Sequence, residues 1–297
     1  MKKAFTLIEL IVVVGILAIL IGTLVAALSG GTDSARAARC LTNMKTLATA
    51  CNSYAMAHSS YPLAGSVEMR SIDRSASTTG EIRHHYYESK GWLSWSSIGA
   101  YEGKATSHMA NGGWFTSAYN QDLTVRQYAL TNGAIWRYVS ESSDVFVCPE
   151  HRRSMRTRNP LWSYVMNERF GYDTSQGAME KLFDPHIGYG KLSRPDRVLM
   201  FAELQFLQND RFDVNTNEGP GIENDCTLQY KHDEIIGFNH SAGKAGLCAH
   251  VAFADGHAEK IMMPKGGMTI DDARNLTRFL CDGKDYTLEN GRFKELK

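Results

Sequence analysis

Between residues 5 and 28 the chain carries a single charged side chain, Glu9. As a helix this run is roughly 36 Å long, enough to cross a bilayer core of about 30 Å. Lys2 and Lys3 precede it and would hold that end in the cytoplasm, leaving the rest of the chain on the far side. An ordinary cleaved signal peptide has a shorter apolar region followed by a small-residue cleavage site. A simple signal anchor accounts for the length. Neither accounts for Glu9, because a carboxylate in a membrane helix costs on the order of 2–3 kcal/mol near the centre and less near the interface. Such a group calls for a partner.

Beyond this block the chain has the composition of a water-facing protein, with a mean hydropathy of -0.30 over the whole length. Its 297 residues suffice for one large domain or two small ones. A formal net charge of zero argues against a general nucleic-acid binder. Ser29-Gly30-Gly31 predicts a kink or brief melt, with Thr32 or Asp33 capping a restart. Apolar residues then recur at helical spacing: Ala37, Cys40, Leu41, Met44, Leu47, Ala48, Cys51, Tyr54 and Ala55. Arg36, Arg39, Asn43, Lys45 and Asn52 fall largely elsewhere, so the segment reads as an amphipathic helix. It is expected to end near His58, before Tyr61-Pro62.

The residues Ala4-Phe5-Thr6-Leu7-Ile8-Glu9-Leu10 resemble the processing site of type IV prepilins and type II secretion pseudopilins. The resemblance implies cutting between Ala4 and Phe5 by a prepilin peptidase and methylation of the new amine. It also implies that Glu9 meets the N-terminal ammonium of a neighbouring subunit. A lone carboxylate and a lone ammonium are each costly in hydrocarbon, and they offset each other only in one stacking register. The departure is Ala4, where the family usually has Gly; Ala is the next smallest side chain. Residues 35–43, ARAARCLTN, resemble the family's stretch just outside the membrane. The domain division is then a leader at 1–4, a transmembrane helix at 5–28, an amphipathic stalk at 29–60 and an exported head at 61–297 with an insert at about 63–120. The location implied is the inner membrane, single-pass, with the N-terminus cytoplasmic and the head periplasmic or extracellular.

In the head, residues 145–149, 163–167, 197–204, 235–238 and 251–263 read as strands, and 269–280 as a late helix with Asp271 and Asp272 in its first turn. Residues 123–139 read as partly helical, interrupted by Gly133, and the C-terminal stretch as a polar tail. A long helix followed by antiparallel strands predicts an α+β head. The insert is polar and aromatic, with SIDRSASTTGE as a loop. Trp92, Trp95, Trp114 and Phe115 there suggest local packing or, as an alternative, rings that stack on sugars. The stretches LTNGAIWRYV, VFVCPEH and HSAGKAGLCAHVAFADGH resemble a bacterial group of pilin-like proteins marked by a His followed at an interval by Asp-Gly. His240, Asp255 and Gly256 match those ends. Fourteen residues lie between His240 and Asp255 here, a longer interval than the group's, and an insertion around residues 245–250 would explain it.

Asp255-Gly256 predicts a two-residue hairpin turn. That register puts His250, His257 and Glu259 on one face, with the two histidines roughly 13 Å apart along the ladder, too far for one metal ion. A metal site would need ligands from elsewhere, such as His240 or Glu203, and none is expected. No serine elbow, zincin helix or phosphate loop occurs, so no catalytic residue and no cofactor is expected. The six cysteines include no C-x-x-C pair, which argues against a zinc ribbon. Cys40 and Cys51 lie about 16 Å apart along one helix and cannot bond each other. Either is expected to pair with Cys148, and Cys226 with Cys248.

The reading is of a structural subunit, not an enzyme. Its expected partners are prepilin peptidase, copies of itself or other pilin-like subunits, and inner-membrane lipid, with no nucleic acid. The alternative is an exported carbohydrate-binding protein or hydrolase on a pilin-type anchor. Mass analysis of the mature N-terminus checks the processing site. We expect an N-methylated Phe5; a start at Met1 or beyond residue 25 would contradict it.

Overall fold

The computed structural model describes residues 7–64, 67–73, 83–88, 91–93, 127, 130–154, 161–170, 190, 192–204, 227–228, 234–243, 246–289 and 292–296. The fold is α+β. One helix, α1 (Leu7–His58), runs without a break through Ser29-Gly30-Gly31. The expected melt and capped restart are absent there. Each helical glycine costs only about 1 kcal/mol, which good helix formers on both sides outweigh.

The helix changes character along its length. Leu7 is 77% exposed and Ile19 69%, and every described side chain from Leu7 to Thr23 is exposed. Ala37 is the first buried residue of α1 among those described. From there Cys40, Met44, Leu47, Ala48, Cys51, Tyr54 and Ala55 form the buried stripe that the spacing predicts. Asn43 is also buried, contrary to its expected outward placement. Its Nδ2 donates to the carbonyls of Asp144 and Val147, which fixes the turn before Cys148 against the helix. Arg36 reinforces the contact through Glu150 at 2.9 Å.

The stripe packs on one face of a six-stranded sheet. Its strands are β3 (Tyr164–Asn167), β4 (Leu199–Glu203), β5 (Thr227–Leu228), β6 (His240–Ser241), β7 (Leu247–Phe253) and β8 (Ala258–Met262). β7 pairs with β8 along one edge. Along its other edge β4 and β6 follow one another. The opposite face of the sheet packs on α3 (Ile270–Asp282), through Leu199, Val251 and Phe253 against Ala273, Leu276 and Leu280. A capping box between Thr269 and Asp272 starts α3, so Asp272 serves as a helix-start charge, as expected.

Several elements differ from the sequence expectation. Residues 145–149 are not a strand. A 3-10 turn, Ser143–Phe146, leads through extended Val147 to the short helix α2 (Pro149–Ser154), because Pro149 suits a first helical turn and cannot donate to a ladder. Residues 235–238 contribute only a single bridge, Leu204 to Ile236. The supposed polar tail forms a hairpin of β9 (Tyr286–Glu289) and β10 (Arg292–Glu295). Asn290-Gly291 between them was the available signal. The insert holds another hairpin, β1 (Val67–Asp73) with β2 (Arg83–Glu88). Trp92 is fully buried, 4.9 Å from Phe201 ring to ring, so it is core and not a sugar platform. Trp95, Trp114 and Phe115 lie outside the described residues.

Gly133 supports that packing. A Cβ there would sit 2.3 Å from the carbonyl oxygen of Trp92. We expect Trp92→Ala to cost about 3–5 kcal/mol, read as a fall in the urea midpoint at unchanged slope.

Candidate functional site

Two irregularities decide which side chains face α1. The first is a bulge in β4 between Leu199 and Phe201. Leu199 packs towards α3, whereas Met200 and Phe201 both join the α1-side core. Strict alternation would have sent Glu203 to the same side as Leu199. The bulge turns it towards α1 instead.

The second is the turn at Asp255-Gly256. Ala252 faces Ala258 and Val251 faces Glu259. The Phe253 amide donates to the His257 carbonyl and the Gly256 amide to the Phe253 carbonyl. This is a three-residue turn with Gly256 at φ +94, one residue longer than expected. A shift of one residue exchanges the faces of a strand. The extra residue turns β8 over relative to β7, so His257 lies on the Phe253 face, stacked on that ring at 4.5 Å. His250 keeps the opposite face and is buried because α1 packs over it. Asp255 accepts from the His257 amide at 3.0 Å. The turn rests on α1: a Cβ on Gly256 would lie 3.3 Å from Asn52 Nδ2. Gly256 thus lets the turn approach the helix closely, and Asp255 shapes the turn through His257. β7 begins at Leu247, so residues 247–250 belong to a paired strand.

Where β4 ends and β6 begins, beside β7, Glu203 and His240 meet at 2.9 Å. Cys40 from α1 donates to Glu203 Oε1 at 3.1 Å. Cys148 Sγ, placed just before α2, lies 3.7 Å from His240 Nε2. One donor atom from each of these four residues lies within 4.8 Å of every other. Cys40, Cys148 and Glu203 are fully buried and His240 is 2% exposed. His250 stacks on His240 at 4.0 Å. The Tyr164 hydroxyl also faces the cluster, beside Cys40. Ser163 holds the Cys148 loop, accepting from the Cys148 amide at 2.9 Å and lying 2.8 Å from His151 Nδ1.

The electrostatics follow from burial and contact. Burial alone would neutralise Glu203, but the adjacent His240 holds its carboxyl below the usual range. Burial likewise disfavours the imidazolium of His240, and Glu203 holds its pKa above the usual range. Burial pushes the Cys40 thiol up, with Cys148 and Glu203 adding to it. His250 is pushed down to about 3 by burial and then by charged His240.

Of the cysteines expected to pair, Cys40 and Cys148 are neighbours and both are free thiols. Cys51, Cys248 and Cys281 are also buried free thiols, each raised by burial. Cys226 lies outside the described residues, as do Ala4 and Phe5. Glu9 sits in the exposed apolar part of α1. Sequence spacing did not reveal that Glu203 and His240 join the two cysteines. The signal available was an acidic residue closing the apolar run VLMFAE and a histidine following the apolar IIGF.

Residues 1–25 match the family model described as the prokaryotic N-terminal methylation motif. The chain therefore has a type IV pilin-like N-terminus, of the kind that prepilin peptidase processes. This is consistent with anchoring to the membrane through the N-terminus. Among the described residues no helix is long and apolar enough to cross a membrane. No curated protein and no solved structure matches the chain.

Replacing Ser163 by Ala removes the acceptor of the buried Cys148 amide. We expect a loss of about 1–3 kcal/mol, checked by equilibrium unfolding. A change below about 0.5 kcal/mol would mean that the Cys148 loop is held elsewhere.

Proposed function

We propose that the protein is a pilin-like structural subunit, anchored and assembled through α1, with its head exported. The observation that carries this is the exposed apolar rod of α1. Leu7, Ile8, Leu10, Ile11, Ile19 and Leu20 are all half or more exposed, and no stripe of the rod is reserved for the head. A helix apolar all round belongs in lipid or among other apolar helices. The methylation motif over the same residues supports the same reading. With residues 24–28 the run reaches the length a bilayer needs.

In this reading prepilin peptidase cuts before Phe5, and Glu9 of one copy meets the new amine of the next. The rod lies in the inner membrane, single-pass, and lipid holds it until copies of this chain or other pilin-like subunits take its place. The head stays on the far side of the membrane. The chemistry is done to the chain and not by it.

Glu9→Val tests the pairing. The variant is expected to insert and to be processed normally. Losing a pairing of about 2 kcal/mol weakens each subunit contact roughly thirtyfold, read as loss of cross-linked oligomers in membranes. Undiminished oligomers would remove the pairing from the reading. Deleting residues 5–28 is expected to abolish assembly while leaving the head folded. A soluble head that keeps a full sugar-binding or hydrolytic activity would favour the alternative.

A further inference from the structure

We propose that Cys40, Cys148, Glu203 and His240 bind one tetrahedral zinc ion, which fastens α1 to the head. The geometry carries it. A zinc centre with sulfur at about 2.3 Å and nitrogen or oxygen at about 2.0–2.2 Å sets its donor atoms roughly 3.3–3.8 Å apart. Here the contacts are 3.1 Å from Cys40 Sγ to Glu203 and 3.7 Å from Cys148 Sγ to His240 Nε2, with all four donors inside 4.8 Å. Cys40 reaches Glu203 Oε1 and His240 reaches Oε2, at 2.9 Å, so one of the two oxygens would turn to the ion as the donors move out to that spacing.

The donor set selects the metal class. Two thiolates with one imidazole suit zinc over magnesium or calcium, which take oxygen ligands. Four protein ligands leave no open position, and all four are sealed from solvent, so the centre is structural and not hydrolytic. Binding takes the two cysteines as thiolates and His240 as neutral imidazole, and their protons leave to solvent.

The ligands come from α1, the turn before α2, the end of β4 and the start of β6. One ion closes long loops among all four, the case in which a cross-link gains most. The inference does not rest on the assembly reading, since every ligand lies in the head or in the packed half of α1.

The test is metal analysis of the full chain, purified in detergent from cells supplied with zinc. We expect about one zinc per chain after gel filtration. Cys148→Ser and His240→Gln should each lower occupancy at least tenfold, while Cys51→Ser keeps it. Should those variants not fold, cobalt loaded into the wild-type chain decides. Thiolate-to-cobalt charge transfer with the strong visible bands of a tetrahedral site supports the proposal. A chain without metal overturns it, as does a cobalt spectrum lacking thiolate bands, or a Cys40–Cys148 disulfide found by peptide mass mapping.

Discussion

The seam between α1 and the sheet is the contact on which the rest of the molecule depends. Met44, Leu47, Tyr54 and their neighbours are buried there against Phe146, Tyr164, Met166 and Phe201. Burying each large apolar side chain is worth about 1.5–3 kcal/mol, so several turns of helix contribute more than any exposed ion pair at the rim. Arg36 with Glu150 and Arg153 with Asp33 sit at that rim and add little. The sheet is then a middle layer, with α3 on its far face, and neither face can be left open.

What could be read from the sequence is what has a short period. The stripe on α1, the strands at 163–167 and 197–204, the capped late helix and the α+β class all follow from local spacing. Register does not. One extra residue in the turn at Ala254-Asp255-Gly256 sends His257 to the face away from His250. One bulge near Met200 turns Glu203 towards α1. Both are single-residue events with no periodic trace, yet between them they select which titratable groups meet. The candidate site was therefore legible as residue types, with Cys40, Cys148, Glu203 and His240 all named, but not as a cluster. The hairpin of β9 and β10 has a signal in Asn290-Gly291, but its polar flanks give no apolar alternation to mark them as strands.

A carboxylate, an imidazole and two thiols are an expensive filling for a core seam. Apolar residues of similar volume would often stabilise such a position as well or better. The cluster makes sense as a device for specificity. Each of its four members comes from a different element, so it is complete only when α1, the Cys148 loop, β4 and β6 are all in their final places. Asn43 and Ser163 act alongside it. Both spend a buried polar group on fixing the backbone around Cys148, and apolar packing alone would not hold that loop in one conformation.

The helix thus carries two acidic problems in two different solvents. Glu203 is buried in protein against α1, and its answer, His240, is supplied by the same chain at 2.9 Å. Glu9 lies in the exposed apolar part of α1. In lipid, the answer proposed for it is a positive chain end on another copy. The first arrangement sets the register of the helix on its own head. The second would set the register of one helix on the next. α1 runs unbroken between the two, at about 1.5 Å per residue. In the assembly proposed above, the number of residues between Glu9 and Cys40 would therefore set the rotation at which each head is displayed.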